Sequence, residues 1–220
     1  MGKVLGVLGG MGPAATVAFL ARVQALTPAE VDQDHIRILA DINPQVPDRQ
    51  RAPDAAKTRL GQMAMRLRDA GAQVLAMPCN TAHALTAGIR KVGLPFIDMI
   101  AETTEAAAAG GAKKIGVLAT PGGEALYARA LQARGCRIVR LSGADRDAFM
   151  ACVYAVKRGD TGEEPRAVMR RLAAGLAGAG AEVVIAGCTE VPLLIGAEDV
   201  AVPLVDSAEV LARACVERCG

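Results

Sequence analysis

Aromatic residues and long apolar runs are scarce in this sequence. Its 220 residues include three Phe, two Tyr and no Trp, although 52% of them are hydrophobic. Ala, Val and Leu supply most of that fraction, and a chain of this length can bury a sizeable core with them. Small aliphatic side chains also suit the close packing of helices against sheets. No apolar run reaches the roughly 18 residues that a membrane-spanning helix needs, so we expect no membrane span.

The sequence also lacks an excess of charge of one sign. It has 25 Lys and Arg against 23 Asp and Glu, a formal net charge of +2 at pH 7. No basic block or basic stripe with interspersed aromatics is present, although nucleic-acid binding favours such patterns. The first residues, MGKVLGVLGGMG, lack the apolar core and cleavage pattern of a signal peptide. We therefore expect a cytoplasmic protein that binds a small polar molecule, not nucleic acid or a membrane.

Six cysteines are present, and in the cytoplasm they are expected to be reduced thiols. Cys215 and Cys219 lie four residues apart on a predicted C-terminal helix, but no second pair of ligands accompanies them, so we predict no metal site. We assign no function to Cys136 and Cys152. Cys79 and Cys188 remain, and their surroundings differ from those of the other four.

Short apolar runs alternate with segments of helical character. The runs predicted as buried strands are Val4–Leu8, Ile36–Ile42, Val74–Met77, Ile115–Ala119, Ile138–Leu141 and Val183–Ala186. The predicted helices are Pro13–Leu26, Asp54–Ala70, Glu124–Arg134 and Arg166–Ala179. This alternation predicts an α/β fold of parallel sheets with helices on both faces. The proline-rich stretch 43–53 predicts a loop.

The chain repeats itself at a spacing of about 110 residues. KVLGVLGG resembles KKIGVLAT, AGAQVLAMPCNT resembles AGAEVVIAGCTE, and LPFID resembles VPLVD, in the same order. Three matches in register indicate an internal duplication. We predict two similar α/β domains, the first formed by residues 1–98 with 207–220 and the second by residues 99–206.

Cys79 and Cys188 occupy equivalent positions in this repeat, each where a predicted strand ends. Ligands of open α/β sheets bind at that carboxyl edge, and a following helix N-terminus would lower the thiol pKa and hold an anion. We expect the two edges to face each other across an interdomain cleft that holds the active site. Two acid/base groups on opposite faces of one carbon are what racemisation requires. A lone buried cysteine is more often a small hydrophobe, but the repetition favours catalysis.

Five motifs carry a resemblance to a known family. They are GGMGP at 9–13, NPQVPDR at 43–49, PCNTAH at 78–83, Val156-Lys157 shortly before a glycine, and GCTE at 187–190. Together they resemble the aspartate/glutamate racemase superfamily over essentially the whole chain, and within it the aspartate racemase branch. The first loop and the glutamate after Cys-Thr differ from those of dedicated glutamate racemases. The resemblance implies a cofactor-independent isomerase that interconverts L- and D-aspartate, or a related acidic amino acid, and forms a homodimer.

The resemblance also implies a role for individual residues. Cys79 and Cys188 correspond to the catalytic pair, and Arg49 and Lys157 to the cations that hold the side-chain carboxylate of the substrate. The other residues expected around the substrate are Met11 and, near its α-carboxylate, Asn80, Thr81, Thr189 and Glu190. No cofactor and no metal are implied.

Several alternatives stay open. A broad-specificity amino-acid racemase is one of them. Some relatives with broad substrates lack one cysteine or the Arg/Lys pair and this sequence retains all four, but membership of the superfamily does not by itself make aspartate the best substrate. Residues 10–15 fit the G-x-G-x-x-A form of a dinucleotide-binding turn, although the acidic residue, Asp41, follows about thirty residues later instead of about twenty. A non-catalytic amino-acid-binding protein would not need paired thiols. His83 lies one helical turn after Cys79 and could tune the thiol, stabilise a helix or fill the core.

Overall fold

The computed structural model describes residues 2–220, and the chain divides into two compact units. The first unit comprises the residues up to Glu102 together with Ala208–Gly220, and the second comprises Thr103–Ser207. The domain limits at residues 98 and 206 stay a prediction.

The first unit is built on a parallel four-stranded sheet. Its strands are β1 (Leu5–Gly9), β2 (Ile38–Ile42), β3 (Val74–Ala76) and β4 (Phe96–Ile97). Their order in the sheet is β2-β1-β3-β4. The chain therefore places β2 on one side of β1 and then crosses to place β3 on the other side. The associated helices are α1 (Pro13–Leu26), α2 (Pro53–Asp69), α3 (Ala87–Arg90) and α4 (Met99–Ala108), and α4 continues into the second unit.

The second unit repeats this plan. Its strands are β5 (Lys114–Leu118), β6 (Arg137–Val139), β7 (Val183–Ala186) and β8 (Leu204–Asp206), in the order β6-β5-β7-β8. All their pairings are parallel. Its helices are α5 (Pro121–Ala133), α6 (Gly143–Lys157) and α7 (Glu163–Gly178), and α8 (Ser207–Cys219) leads back to the first unit. Two parallel sheets flanked by helices confirm the predicted fold class.

The alternation of side chains along β1 explains why helices cover both faces of the first sheet. Leu5 and Val7 belong to one buried cluster, which includes Phe19 of α1 and residues of α8. Leu8 belongs to another, which includes Leu60 of α2. Both faces of the strand are therefore buried, as its continuous apolar sequence predicts.

The duplication is visible in the packing of one glycine in each unit. A Cβ on Gly6 of β1 would lie 2.8 Å from the Cβ of Ala72 and 3.4 Å from that of Leu67. A Cβ on Gly116 of β5 would lie 3.1 Å from the Cβ atoms of Ala181 and Leu176, the residues that match in the repeat. In each unit, the absence of a side chain lets the helix approach the central part of the sheet. The repeat therefore preserves a three-dimensional contact as well as sequence.

Helix α6 was not predicted from the sequence. It buries Phe149, Cys152, Val153 and Val156, which have the i, i+3, i+4, i+7 spacing of an amphipathic helix. No element was predicted there, although this spacing is present in the sequence. None of the helices over residues 2–220 combines the length and the apolar character needed to cross a membrane.

Candidate active site

The carboxyl ends of β1 and β3 are neighbours in the first sheet although β2 separates them in sequence. Chain connections leave this point in opposite directions, which creates the crevice where open α/β sheets bind ligands. The loop after β1 contains Met11, which is 5% exposed, and the loop after β3 contains Cys79, also 5% exposed. Two residues predicted to lie near the substrate thus belong to adjacent strand ends.

The glycines of the loop after β1 are explained by packing. Gly10 has a φ of 95°, and a Cβ on it would lie 2.4 Å from the carbonyl carbon of Asn43. A Cβ on Gly9 would lie 2.4 Å from Cγ2 of Thr16. The Thr16 hydroxyl accepts from the Gly10 N–H and donates to the Gly12 carbonyl, both at 2.9 Å. The loop therefore needs glycine even without a nucleotide.

Asp41 is the acidic residue on which the dinucleotide-binding alternative depends. Its Oδ2 accepts hydrogen bonds from Nη2 of Arg66 at 2.7 Å and from Nε at 3.2 Å. In the dinucleotide-binding motif the acidic residue binds the ribose of the nucleotide, whereas this carboxylate has a partner within the protein. The packing of the glycines and this contact explain these residues without a nucleotide.

Cys79 and the residues after it form a tight turn at the end of β3. The Cys79 N–H donates to the Met77 carbonyl at 2.8 Å, and a 3₁₀ helix, Thr81–Leu85, begins two residues later. Asn80 is buried and Thr81 is half-buried. The expected helix after the cysteine is therefore one short 3₁₀ segment, whose dipole is smaller than that of a full α-helix. Helix dipoles alone are a weak means of activating this thiol.

The turn at Cys188 brings a carboxylate to the thiol. Cys188 is 7% exposed, and Thr189 and Glu190 are each 4% exposed. Sγ of Cys188 donates to Oε2 of Glu190 across 2.9 Å, and the Thr189 hydroxyl lies 3.5 Å from the same oxygen. The following 3₁₀ helix, Val191–Leu193, is again short. A buried carboxylate in contact with a thiol can take up and return its proton.

Side chains that the motifs did not indicate hold the Cys188 turn in place. Arg166 donates to the Leu194 carbonyl at 2.9 Å and to the Leu193 carbonyl at 3.3 Å, at the end of that 3₁₀ helix. Ser207 donates to the Ala186 carbonyl at 2.7 Å. The contacts of Arg166 supply partners for carbonyl groups that a short helix leaves unpaired, and that of Ser207 holds the end of β7. No short motif marks them, because each joins residues at least 21 positions apart in sequence.

Tyr127 lies beneath the same turn. A Cβ on Gly187 would lie 2.8 Å from Cε2 of the Tyr127 ring, so this position must be glycine for the ring to fit. Burial raises the pKa of the Tyr127 phenol above its ordinary value, against the opposing effect of the Thr103 and Ser207 hydroxyls. The phenol is therefore neutral around physiological pH, and its rigid ring supports the backbone next to Cys188.

Arg49 has an unusual environment for a cation in a loop. Its side chain is half-buried, and no acceptor among the described residues forms a hydrogen bond with its buried Nε. Asp48 fixes the turn around it, because Oδ1 accepts from the N–H groups of Gln50 at 2.9 Å and Arg51 at 2.8 Å. These backbone hydrogen bonds lower the pKa of Asp48. An unpaired guanidinium nitrogen on a fixed turn suits an anionic ligand.

Lys157 is the last residue of α6 and is exposed. Its Nζ lies 5.4 Å from the centre of the Tyr154 ring, a cation–π contact on the same helix. This contact orients the ammonium group only weakly, because both side chains are exposed. Lys157 belongs to the second unit and Arg49 to the first.

The remaining cysteines are free thiols. Burial raises the pKa of Cys152, Cys215 and Cys219, which keeps them protonated and unreactive at neutral pH. Over residues 2–220, no group of three or more His, Cys, Asp or Glu side chains has an arrangement that could hold a metal ion.

Comparisons with known proteins agree with the two-unit plan. A family model described as Asp/Glu/Hydantoin racemase matches residues 8–215. The broad specificity amino-acid racemase RacX of Bacillus subtilis is 27% identical over 222 residues, which cover 97% of this chain and 96% of that protein. The structure of Picrophilus torridus aspartate racemase matches with a TM-score of 0.86 and 28% identity, over 98% of this chain and 94% of that one. Glutamate racemase isoform RacE1 of Bacillus anthracis shares the fold, with a TM-score of 0.71, 22% identity, and 98% and 80% coverage.

Proposed function

This chain belongs to the Asp/Glu/Hydantoin racemase family and is an amino-acid racemase, an isomerase, and we propose that it interconverts L- and D-aspartate without a cofactor. The observation that carries the proposal is the equivalence of Cys79 and Cys188. Both thiols are buried, and both follow the third strand of a sheet in which that strand adjoins the first. One ancestral turn thus provides two acid/base groups in one chain.

In the proposed reaction, one thiol lies on each face of the substrate α-carbon. The thiolate on one face removes the α-proton, and the thiol on the other face donates a proton to the carbanion. The C–H bond electrons remain on the substrate and form the new C–H bond with the second proton. The enzyme then holds the opposite protonation state and is ready for the other enantiomer. Asn80, Thr81 and Thr189 are the proposed contacts of the α-carboxylate, and Met11 lines the substrate.

Arg49 and Lys157 are the proposed contacts of the distal carboxylate. The partner-free buried Nε of Arg49 supports this assignment, because a desolvated guanidinium nitrogen gains most from a charged acceptor. The structurally similar Picrophilus torridus protein is an aspartate racemase, which supports the same assignment. Aspartate offers these two cations a distal carboxylate, and alanine has none.

The direct test is incubation of the purified protein with L-aspartate in deuterated water. A racemase incorporates solvent deuterium at Cα while D-aspartate accumulates, and NMR together with chiral chromatography measures both. Deuterium-free, unchanged L-aspartate after long incubation would contradict the proposal. Pyridoxal phosphate added to a parallel sample should leave the rate unchanged.

Replacement of Arg49 by Ala tests the distal contact. We expect kcat/KM for aspartate to fall by an amount equivalent to about 1.5–3 kcal/mol, because a charge-assisted hydrogen bond is lost. Turnover of alanine should change much less. Arg51→Ala is the matched control, since Arg51 is exposed two residues away. Equal losses for aspartate and alanine would show that Arg49 does not read the side chain.

A broad-specificity racemase is the second candidate. It is favoured by the similarity to the Bacillus subtilis protein and by the exposed Lys157, which its contacts hold only weakly. The ratio of kcat/KM across aspartate, glutamate, alanine and lysine distinguishes the two candidates. A preference for aspartate of less than about tenfold, or roughly 1.4 kcal/mol, would favour broad specificity.

A further inference from the structure

His83 bridges two backbone segments of the first unit. Its side chain is buried, with 7% of the residue exposed. Nδ1 lies 2.9 Å from the Cys79 carbonyl oxygen, and the Met99 N–H points to Nε2 at 3.1 Å. Met99 is the first residue of α4, the helix that leads into the second unit. One imidazole ring thus joins the turn of a proposed catalytic cysteine to the beginning of that helix.

The two contacts determine the tautomer of the ring. A backbone N–H can only donate, so Nε2 must be the acceptor for Met99 and carries no proton. In neutral imidazole the proton is then on Nδ1, which donates to the Cys79 carbonyl. Both nitrogens are satisfied in this form alone. A protonated ring would direct an N–H at the N–H of Met99.

The surroundings of the ring favour the neutral form. Burial lowers the pKa of His83, with a smaller contribution from the nearby Arg90, against the hydrogen bond to Cys79 and the charge of Asp98, which raise it. Arg90 and Asp98 form an ion pair at 2.8 Å, and the Phe96 ring lies 5.4 Å from the His83 ring. Asp98 accepts hydrogen bonds from the N–H groups of Ile100 and Ala101. Asp98 and His83 together therefore bind the N–H groups of the first turn of α4, which have no partner within the helix.

We propose that His83 is a positioning residue, whose neutral Nδ1–H form holds the Cys79 turn at the beginning of α4 and thereby fixes the place of the Cys79 thiol. The proposal rests on the proposed function, since it gives Cys79 a role in proton transfer. His83 does not contact the substrate in this scheme. It acts through the Cys79 carbonyl, in contrast to direct tuning of the thiol.

Two substitutions separate the two contacts of the ring. In His83→Gln, the side-chain oxygen can reach the position of Nε2 and accept from Met99, but the donor to Cys79 is lost. In His83→Asn, the amide nitrogen can take the position of Nδ1 and donate to Cys79, but the partner of Met99 is lost. We expect His83→Gln to lower kcat by about 10- to 100-fold with little change in KM, because misplacement of a reacting group slows the chemical step. His83→Asn should retain more of kcat and lose melting temperature.

The pH dependence of stability provides a second readout. The folded protein prefers neutral His83, while an unfolded chain has a histidine pKa of about 6.5. The unfolded state therefore binds more protons as the pH falls below about 6.5, and the stability supplied by His83 is lost towards acid and fully present above it. The wild type should show this slope and His83→Gln should lack it. His35→Gln is the control, because His35 is exposed and is the only other histidine.

NMR and alkylation test the proposal independently of racemase activity. Long-range proton–nitrogen spectra of the wild type should show a proton on Nδ1 and none on Nε2 of His83. Iodoacetamide, mapped by mass spectrometry, should modify Cys79 at a changed rate in His83→Gln and at the wild-type rate in His35→Gln.

A proton on Nε2, or wild-type kcat and alkylation in His83→Gln, would overturn the proposal. Activity losses in both variants that only follow their folded fraction would also overturn it. If the wild type lacks racemase activity but shows the expected His83 tautomer and alkylation rates, only the proposed racemase function would be overturned.

Discussion

Replacement of either Cys79 or Cys188 by Ser is expected to abolish racemisation in both directions. Each turnover needs a base on one face of the α-carbon and an acid on the other, so a variant with one thiol cannot complete it. Serine keeps the shape of the side chain, but its hydroxyl is a far weaker acid than a thiol. We expect a loss of more than about 10³-fold, near the upper part of the range for acid–base groups. Chiral chromatography of L- and D-aspartate after incubation measures the loss.

The same two variants should differ in α-proton exchange. The remaining thiolate can still remove the proton of the enantiomer whose C–H bond faces it, and return a deuteron from solvent to the same face. Cys79→Ser and Cys188→Ser should therefore exchange opposite enantiomers, as followed by NMR on separate L- and D-aspartate samples. Cys152→Ser is the control for a buried thiol without a proposed role. A single variant that racemises at close to the wild-type rate would exclude the two-thiol mechanism.

Glu190→Gln is expected to lower kcat/KM by about 10²- to 10⁴-fold, the range of an acid–base contribution. The Glu190 carboxylate accepts a hydrogen bond from the Cys188 thiol, with 2.9 Å between sulfur and oxygen, in a buried turn. It can therefore receive the thiol proton before Cys188 acts as a base. A glutamine oxygen can accept the same hydrogen bond but cannot take the proton. This role adds to the contact with the α-carboxylate that the resemblance implies for Glu190. Matched melting temperatures of the two proteins are needed for the comparison.

Isotope effects identify which thiol Glu190 serves. The two enantiomers have equal free energy, so every variant must have the same kcat/KM in both directions, and that ratio cannot reveal an asymmetry. The primary isotope effect measured with α-deuterated aspartate can reveal the asymmetry. If proton removal by Cys188 becomes slower, the isotope effect should increase only for the enantiomer from which Cys188 removes the proton. Glu198→Gln, an exposed glutamate eight residues later, is the control. Equal increases for both enantiomers would show that Glu190 acts on the substrate and not on Cys188.

The elements of the fold could largely be predicted because their signals are local. Helix α1 begins and ends at the predicted residues Pro13 and Leu26, and β7 has the predicted limits Val183 and Ala186. The predicted starts of α2 and α5 came after their prolines, although Pro53 and Pro121 occupy first helical positions. The internal repeat was the strongest evidence for two similar units.

The arrangement of side chains around the cysteines could not be predicted in the same way. The spacing of GCTE does not reveal that the Glu190 carboxylate contacts the Cys188 thiol, because that contact depends on the backbone path of the turn. His83 follows Cys79 by four residues, yet its second partner, Met99, comes from a distant strand–helix junction. Contacts of this kind depend on how strands and helices are assembled.

The discontinuous make-up of the first unit has a consequence for the order of folding. Leu5, Val7 and Phe19 share a core cluster with Leu211 and Cys215, which belong to the last helix of the chain. The second unit is one continuous segment, so its contacts close shorter loops than the contacts between β1 and that helix. We expect amides of β5 and β7 to gain protection before those of β1 and β3 in pulse-labelled refolding, and the reverse order would contradict this. The part of the protein that is synthesised first would then be the last to close.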